Sequence, residues 1–281
     1  MCRLLAYAST QRQSVQELLS PDEFERYRQL STLHRDGWGH AWLGDPSGDA
    51  RHVNSIRRAL DDEQFPTHMA STHGVAGIVH LRWATSGFPV CLENSHPFVD
   101  RGWHFAHNGA VPDHHRLVDL LSVERRASLE GDTDSELYFQ LILQRTDELG
   151  DVAAGVRQAV ADIRRVCGLG SLNCLLLSKT RMLAVQAQGE TAAPVAALIE
   201  AAGGTEALPL GHDDSYYRLR YTVRDGSLLV ASTGVGLDGW KFLGDDAIVD
   251  ADLTSGAVTV TRLLDGSVED AFSLLTPERQ S

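Results

Sequence analysis

The residues best suited to chemistry begin at the second position of the chain, in Met1-Cys2-Arg3. Methionine aminopeptidases remove Met1 when the second residue is small, and this leaves Cys2 with both a thiol and a free α-amine. The reference pKa values, ~8.5 for a thiol and ~7.7–8.0 for an α-amine, are close enough for the amine to exchange the thiol's proton near neutral pH. The pattern indicates a nucleophile that carries its own base. The alternative is an ordinary buried strand cysteine.

Two charged residues further along are of types that bind the ends of an amino acid. Arg82 lies near the end of the apolar run from Val75 to Ala84 and offers a planar fork of donors that matches a carboxylate. Asp134 lies in the first turn of a predicted helix, where its carboxylate could hold an ammonium group. The alternatives are a structural salt bridge for Arg82 and a simple helix-dipole interaction for Asp134.

Asn108-Gly109 supplies a side-chain amide and a main-chain N–H at a predicted turn. Two such donors could stabilise a developing oxyanion in acyl transfer, although an ordinary Asn-Gly turn is the alternative. Combined with a thiol, a carboxylate binder and an ammonium binder, this pair suits an amino acid with a side-chain acyl group. Glutamine fits, as does any γ-glutamyl compound.

The composition limits the classes of partner and the compartment. The chain has 281 residues, 43% of them hydrophobic, and a net charge of −13, which argues against broad binding to nucleic acid or anionic lipid. We find neither a signal peptide nor a segment of the ~20 apolar residues that a membrane span needs. The four cysteines show no CxxC spacing. These features predict a reduced, cytoplasmic protein.

Capping signals and hydrophobic patterns predict the elements that position these residues. Ser20 and Glu23 predict a capping box for a helix running to about Leu30, and Thr133 and Glu136 predict a second one. A further helix is predicted from Asp151 to Cys167. Strands are predicted at 2–9, 75–84, 103–107, 172–178, 182–186, 219–223, 228–232, 247–251 and 257–264, and 37–43 is predicted to be a glycine-hinged turn that leads into a strand. The Ala/Gly-rich segment 190–211 is expected to be partly loop, and one domain covers residues 1–281.

The order of several short motifs resembles that of a known family. Cys2 is followed by HRDGWG at 34–39, HLRWATSG at 80–87, ENSHPF at 93–98, FAHNGAV at 105–111 and GDTDSE at 131–136. This order resembles the class II glutamine amidotransferases, which are N-terminal-nucleophile hydrolases. The resemblance covers the first half of the chain. It is strongest to the stand-alone branch that includes the γ-glutamyl amidohydrolase of ergothioneine biosynthesis.

The resemblance implies an α+β fold, a four-layer αββα sandwich with two stacked, mainly antiparallel sheets. It also implies that Cys2 is the nucleophile and that Asn108 and Gly109 form the oxyanion hole. The substrate-binding residues that it implies are Arg82, Trp83, Thr85, Asp134 and His96. Ser86 stands where amidotransferases carry histidine, and the Asp36–Gly39 loop is expected close to Cys2.

The chemistry implied is hydrolysis of the γ-amide through a γ-glutamyl thioester, with no metal and no organic cofactor. The alternative is a non-catalytic or partner-dependent subunit that binds glutamine or supplies ammonia to a separate synthetase. A metal site is disfavoured because HExxH and zinc-ligand spacings do not occur. A papain-like protease is disfavoured because Cys2 lacks the sequence context of that family.

Overall fold

The computed structural model describes residues 2–85, 87–236 and 238–275. Alternating and continuous apolar runs form strands in this part of the chain. In chain order they are β1 (Arg3–Gln13), β2 (Trp38–Leu43), β3 (Arg51–Ser55), β4 (Gly74–Leu81), β5 (Phe98–Asp100), β6 (Trp103–Gly109), β7 (Leu172–Leu177), β8 (Arg181–Gln186), β9 (Leu219–Arg224), β10 (Ser227–Ser232), β11 (Lys241–Phe242), β12 (Ala247–Asp252), β13 (Ala257–Arg262) and β14 (Val268–Ser273).

The strands form two antiparallel sheets of seven strands each. The first has the order β11-β9-β10-β1-β4-β2-β3, and the second has the order β14-β13-β12-β8-β7-β6-β5. In the first sheet β1 pairs with β10 on one side and with β4 on the other, so that Arg3 lies opposite Leu81. The start of β1 is therefore in the middle of a sheet and not at its edge.

Helices cover the outer face of each sheet. They are α1 (Val15–Leu18), α2 (Pro21–Gln29), α3 (Gln64–Ser71), α4 (Val123–Ala127), α5 (Asp134–Leu149), α6 (Val152–Val166) and α7 (Val195–Ala202), with short 3₁₀ turns at Leu30–Thr32, His114–Leu120 and Thr205–Ala207. One apolar cluster joins α1, α2 and α3 to the first sheet, and another joins α5 and α6 to the second. A third lies between the sheets. The predicted four-layer αββα sandwich is confirmed.

The predicted helix caps are confirmed in one case and half wrong in the other. At α2, Ser20 Oγ accepts from the Glu23 N–H, and the Glu23 carboxylate accepts from the Ser20 N–H. At α5, Thr133 Oγ1 accepts from the Glu136 N–H, but the reciprocal bond is not made. The Glu136 carboxylate instead accepts from the N–H groups of residues 130 and 131, because the preceding loop folds back over the helix start.

The prediction of a turn at Asn108-Gly109 is wrong. Both residues continue β6 and pair with Asn173 and Leu172 of β7. The glycine is required by close packing, since a Cβ at Gly109 would overlap the Ser171 carbonyl oxygen. The strand predicted at 75–84 also ends early, at Leu81.

The segment 190–211 contains the short helix α7 and a 3₁₀ turn between irregular stretches. This agrees with the prediction that the segment is partly loop. In the described ranges, no helix is both long enough and apolar enough to cross a membrane. The single domain over 1–281 stays a prediction.

Candidate active site

Cys2 is held at the start of β1 by hydrogen bonds from two directions. Its side chain and main chain are buried, with 6% of the residue exposed. The Cys2 nitrogen donates to Asn108 Oδ1 at 2.7 Å, and Cys2 Sγ lies 3.8 Å from the Trp83 carbonyl oxygen. The thiol is therefore fixed between the first sheet and the last residues of β6.

Asn108 presents a free donor beside this thiol. Because the Cys2 nitrogen is a donor, the oxygen of the Asn108 amide must face it, and this fixes which way the amide points. Asn108 is fully buried, and its Nδ2 has no partner among the described residues. A buried amide N–H without an acceptor is costly, so this atom is available to a ligand.

Arg82 also carries an unused donor. The residue is 4% exposed; its Nη2 donates to the Pro89 carbonyl at 3.2 Å, and its Nη1 has no partner within the described part of the chain. The Asp36–Gly39 loop holds the main chain of Arg82 through two hydrogen bonds. The Arg82 N–H donates to the Gly37 carbonyl, and the Asp36 N–H donates to the Arg82 carbonyl. An Asp36 carboxylate oxygen also accepts from the Ala84 N–H at 2.8 Å. That loop therefore shapes the cleft wall without reaching into it.

Asp134 begins α5 and is 5% exposed. One of its carboxylate oxygens accepts from the Val111 N–H at 2.8 Å, and the other accepts from Ser135 Oγ at 3.3 Å. These contacts hold the carboxylate in a single orientation and leave lone pairs on both oxygens.

One cleft collects the residues that were predicted from sequence. Cys2 lines it together with Arg82, Trp83, Thr85, His96, Gly109 and Asp134, while Asn108 joins it through the bond to the Cys2 nitrogen. Ser86 lies outside the described residues. The geometry thus places a thiol, an unused amide donor, an unused guanidinium donor and a carboxylate around one space.

Three buried histidines surround the thiol. The rings of His80 and His96 lie 4.2 Å apart, centre to centre, and neither ring has a hydrogen-bond partner in the described ranges. Burial lowers the pKa of His96 well below its ordinary value, and the neighbouring His80 lowers it further. His107 contacts Ser135 Oγ at 2.9 Å and the Ser171 carbonyl at 3.1 Å. Across the described residues, no three His, Cys, Asp or Glu side chains are grouped as metal ligands.

The Cys2 cleft is not the roomiest cavity. A space of about 380 Å³ opens between β3, β5 and the start of α5, whereas the cleft at Cys2 measures about 20 Å³. The larger space is lined mostly by polar and acidic side chains, and its lining among the described residues contains no cysteine. Because chemistry needs a nucleophile and not volume alone, we assign the site to Cys2.

A comparison with protein families decides the family. Residues 1–203 match the model of the class II glutamine amidotransferases. The chain belongs to this family. The match includes the residues that form the cleft at Cys2.

Individual relatives of this chain differ in how much of their length is shared. The glutamine–fructose-6-phosphate aminotransferase (isomerizing) of Chlamydia caviae is 33% identical over 129 residues, which are 45% of this chain and 19% of that protein. The chain thus spans about a fifth of the length of that relative. The gamma-glutamyl-hercynylcysteine sulfoxide hydrolase of Mycolicibacterium smegmatis is 28% identical over 192 residues, 66% of this chain and 78% of that one. A class II domain protein from Silicibacter pomeroyi shares the fold with a TM-score of 0.61 at 17% identity, covering 93% and 99% of the two chains.

Sequence reasoning missed His80, which acts on the Cys2 thiol of the candidate site. A signal was present, because His80 and Arg82 lie two apart in the predicted strand 75–84 and would share a face there, and Arg82 was already predicted to bind substrate. His107 was not predicted as a site residue either, yet it lines the cleft together with Gly109. Arg3 was missed as well, since all its contacts except the one with the Cys2 carbonyl come from residues more than 200 positions away.

The state of the Cys2 thiol gives a first prediction. Burial alone would raise the pKa of Cys2, but the positive amino terminus and His80 outweigh it and lower the pKa to about 5. Iodoacetamide should therefore alkylate Cys2 with a midpoint near pH 5. Burial raises the pKa of Cys174 to about 12, so that thiol should stay unmodified. Peptide mass mapping across a pH series measures both.

Two controls make the alkylation result decisive. His80→Gln removes one of the two attractions and should move the Cys2 midpoint to higher pH. Since Cys174 lies outside the cleft, its protection should not change in this variant. A Cys2 midpoint near that of an ordinary thiol, ~8.5, would contradict the prediction.

Proposed function

We propose that this amidotransferase hydrolyses the γ-amide bond of glutamine or of a γ-glutamyl metabolite through a thioester on Cys2. The observation that carries the proposal is the double use of Asn108: its oxygen holds the Cys2 nitrogen at 2.7 Å, and its Nδ2 has no partner among the described residues. A free donor aimed beside a thiol suits the oxyanion that forms when the thiol attacks a carbonyl.

The proposed reaction begins once the residues before Cys2 have been removed and its nitrogen is an α-amine. The amine takes the thiol proton, and the thiolate attacks the γ-carbonyl carbon to form a C–S bond. Asn108 Nδ2 and the Gly109 N–H stabilise the oxyanion. The C–N bond then breaks as the α-ammonium returns its proton to the leaving nitrogen. Water hydrolyses the thioester, releasing glutamate and restoring the thiol.

The binding roles follow from the charges around the cleft. The unused Nη1 of Arg82 suits the substrate α-carboxylate, and the Asp134 carboxylate suits the α-ammonium group. Trp83, Thr85 and His96 form the remaining walls. A reducing compartment such as the cytoplasm suits this reaction, because Cys2 must remain a free thiol and all four cysteines are free.

The leaving group separates two versions of the function. A hydrolase like the Mycolicibacterium relative would prefer a γ-glutamyl conjugate of a particular metabolite. An ammonia-supplying subunit, comparable to the matched part of the Chlamydia aminotransferase, would act on glutamine for a separate synthetase. We favour the hydrolase because that relative aligns over 78% of its own length, whereas the aminotransferase aligns over 19%.

A turnover screen tests the proposal. Purified protein is offered glutamine, γ-glutamyl peptides and γ-glutamyl-cysteinyl conjugates, and released glutamate is measured. We expect the highest kcat/KM on a conjugate. Activity on glutamine alone supports the ammonia-supplying version. If none of these compounds yields glutamate from protein whose Cys2 is N-terminal, the protein binds without turnover and the proposal is wrong.

Arg82 gives a prediction about substrate binding. Replacing Arg82 by methionine removes the charge but keeps the apolar stem, and we expect KM to rise ~10- to 100-fold, as for loss of a charge-assisted bond worth ~1.5–3 kcal/mol. The rate kcat should fall much less, because the carboxylate anchor acts in the ground state and the transition state alike. Steady-state kinetics on the best substrate measure the two effects separately.

Arg26→Met is the matched control for Arg82. Arg26 also donates to a main-chain carbonyl, that of Val235 at 2.9 Å, but it lies on α2 outside the cleft. The KM of the Arg26→Met variant should equal that of the unmodified protein. Equal KM values for both variants would rule out Arg82 as the carboxylate anchor.

A further inference from the structure

Arg3 is fully buried and contacts the nucleophile's own main chain. Its Nε donates to the Cys2 carbonyl at 2.7 Å and its Nη2 to the Tyr216 carbonyl at 2.9 Å. Its Nη1 reaches the carbonyl and hydroxyl of Thr233 at 3.4 and 3.5 Å. The guanidinium carbon lies 3.7 Å from the centre of the Tyr216 ring. Every donor group of this arginine is thus engaged.

The partners of Arg3 are neutral. Its contacts are carbonyls, a hydroxyl and an aromatic face, and no carboxylate of the described residues pairs with it. Burying a cation without a counter-ion is expensive, so its retention calls for an explanation beyond packing. The positive charge acts on its surroundings: after burial, Arg3 is the next cause that lowers the pKa of His212 to about 3.

Apart from Cys2, the residues that hold Arg3 are Tyr216 and Thr233, and both lie beyond the family match, which ends at residue 203. Thr233 Oγ1 donates to the carbonyls of Gly211 and Ser215, at 2.9 and 3.2 Å, and ties two loops together. A Cβ at Gly211 would come within 2.7 Å of Thr233, so these loops touch without room for a side chain. The C-terminal part of the chain therefore reaches Cys2 through Arg3.

We propose that Arg3 is a positioning residue of the site, which fixes the Cys2 main chain and keeps a permanent positive charge against the carbonyl of the residue whose nitrogen acts as the base. This inference rests on the proposed function, in which that nitrogen is the base. A nearby like charge disfavours protonation, so Arg3 favours the neutral amine that can accept the thiol proton. It acts through Cys2 and does not touch the substrate.

Other charges also face Cys2 and set the background for any pH measurement. The ionisable side chains around it are His80 of β4, Arg82 directly after β4, His96, His107 of β6, Asp134 of α5, Tyr27 of α2, and Tyr216 and Tyr217 before β9. A substitution at Arg3 replaces none of these side chains. Arg3 lowers the pKa of the three tyrosines, but burial raises it and outweighs that effect, so they stay neutral near pH 7 with or without Arg3. A shift of the profile on replacing Arg3 therefore reports the lost guanidinium.

The experiment compares Arg3→Gln and Arg3→Lys with Arg220→Gln in the full chain. In Arg3→Gln we expect kcat to fall at least ~10-fold with KM unchanged, and the acid limb of the kcat profile to move up by about 1 pH unit. Arg3→Lys keeps the positive charge, so the acid limb of its kcat profile should stay where it is in the unmodified protein. Its kcat should fall less than that of Arg3→Gln. Arg220 donates to the Gly236 carbonyl at 3.2 Å and lies 4.3 Å from the Phe242 ring centre. Arg220→Gln thus removes a similar arginine remote from Cys2 and should change nothing.

Two outcomes overturn the inference. One is a folded Arg3→Gln, judged by its thermal melt, with the kcat and acid limb of the unmodified protein. The other is an Arg3→Lys variant that loses as much kcat as Arg3→Gln and whose acid limb shifts by the same number of pH units. If Arg3→Gln does not fold, Arg3→Lys alone tests the inference. An unchanged kcat in Arg3→Lys contradicts the inference. A reduced kcat with the acid limb of the profile at its original pH supports it.

The alkylation profile of Cys2 separates failure of this inference from failure of the proposed function. Iodoacetamide needs no turnover, so it reports on the site even if no γ-glutamyl compound is hydrolysed. We expect the Cys2 midpoint to move to higher pH in Arg3→Gln and to stay in place in Arg3→Lys. If turnover is absent but this pattern appears, the function is wrong and the role of Arg3 stands. Equal midpoints in all variants contradict it.

Discussion

Replacing Cys2 by alanine should lower γ-glutamyl hydrolysis by at least ~10⁴-fold, because the attacking atom itself is lost. Alanine is as small as cysteine, so removal of Met1 continues and the α-amine remains in place. The Cys2 nitrogen can still donate to Asn108 Oδ1, and the cleft should keep its shape and its affinity for substrate. Glutamate release measures the rate, and calorimetric titration with the preferred substrate measures the retained binding.

Cys91→Ala is the matched control for that loss. Cys91 is a free, partly exposed thiol whose Sγ lies 4.0 Å from the Pro89 carbonyl, in the segment that follows Arg82. Its removal should leave kcat/KM unchanged. If Cys2→Ala retains more than a hundredth of the activity, another group performs the attack and the thioester mechanism is wrong.

Replacing Asn108 by alanine should lower kcat by ~10²–10³-fold, the usual cost of one oxyanion donor. The substitution also removes the acceptor that holds the Cys2 nitrogen at 2.7 Å, so the loss should lie at the upper end of that range. KM should change little, because the carboxylate and ammonium anchors are elsewhere. Steady-state kinetics give the split between kcat and KM.

Asn54→Ala is the control for Asn108. Asn54 is also a strand asparagine with one engaged and one unpartnered amide atom, since its Nδ2 donates to Ser95 O at 3.1 Å and its Oδ1 has no partner within the described ranges. It faces the larger cavity near β3 and β5. Its kcat should match that of the unmodified protein. A loss in Asn54→Ala as large as in Asn108→Ala would indicate general destabilisation.

Local signals in the sequence predicted the local structure well. The Ser20–Glu23 capping box forms as predicted because both of its bonds lie within four residues. The turn at Asn108-Gly109 was wrong because its conformation is set by pairing with β7, more than 60 residues away. A dipeptide preference cannot outweigh a ladder of long-range hydrogen bonds whose partner is not visible in the local sequence.

The candidate site was predicted in part for a similar reason. Residue type and motif order named Cys2, Asn108, Arg82 and Asp134, and the fold brings them into one cleft. Arg3 was not named, because its role depends on Tyr216 and Thr233, which no local pattern connects to the start of the chain. Which donors remain unused also depends on the complete set of contacts, and only the folded chain provides that set.

The most direct test is mass analysis of protein quenched with acid during turnover of its best substrate. We predict a γ-glutamyl adduct on a peptide whose first residue is Cys2, with none of the preceding chain attached. Active protein that still carries residues before Cys2, or an adduct on any other residue, would contradict the account.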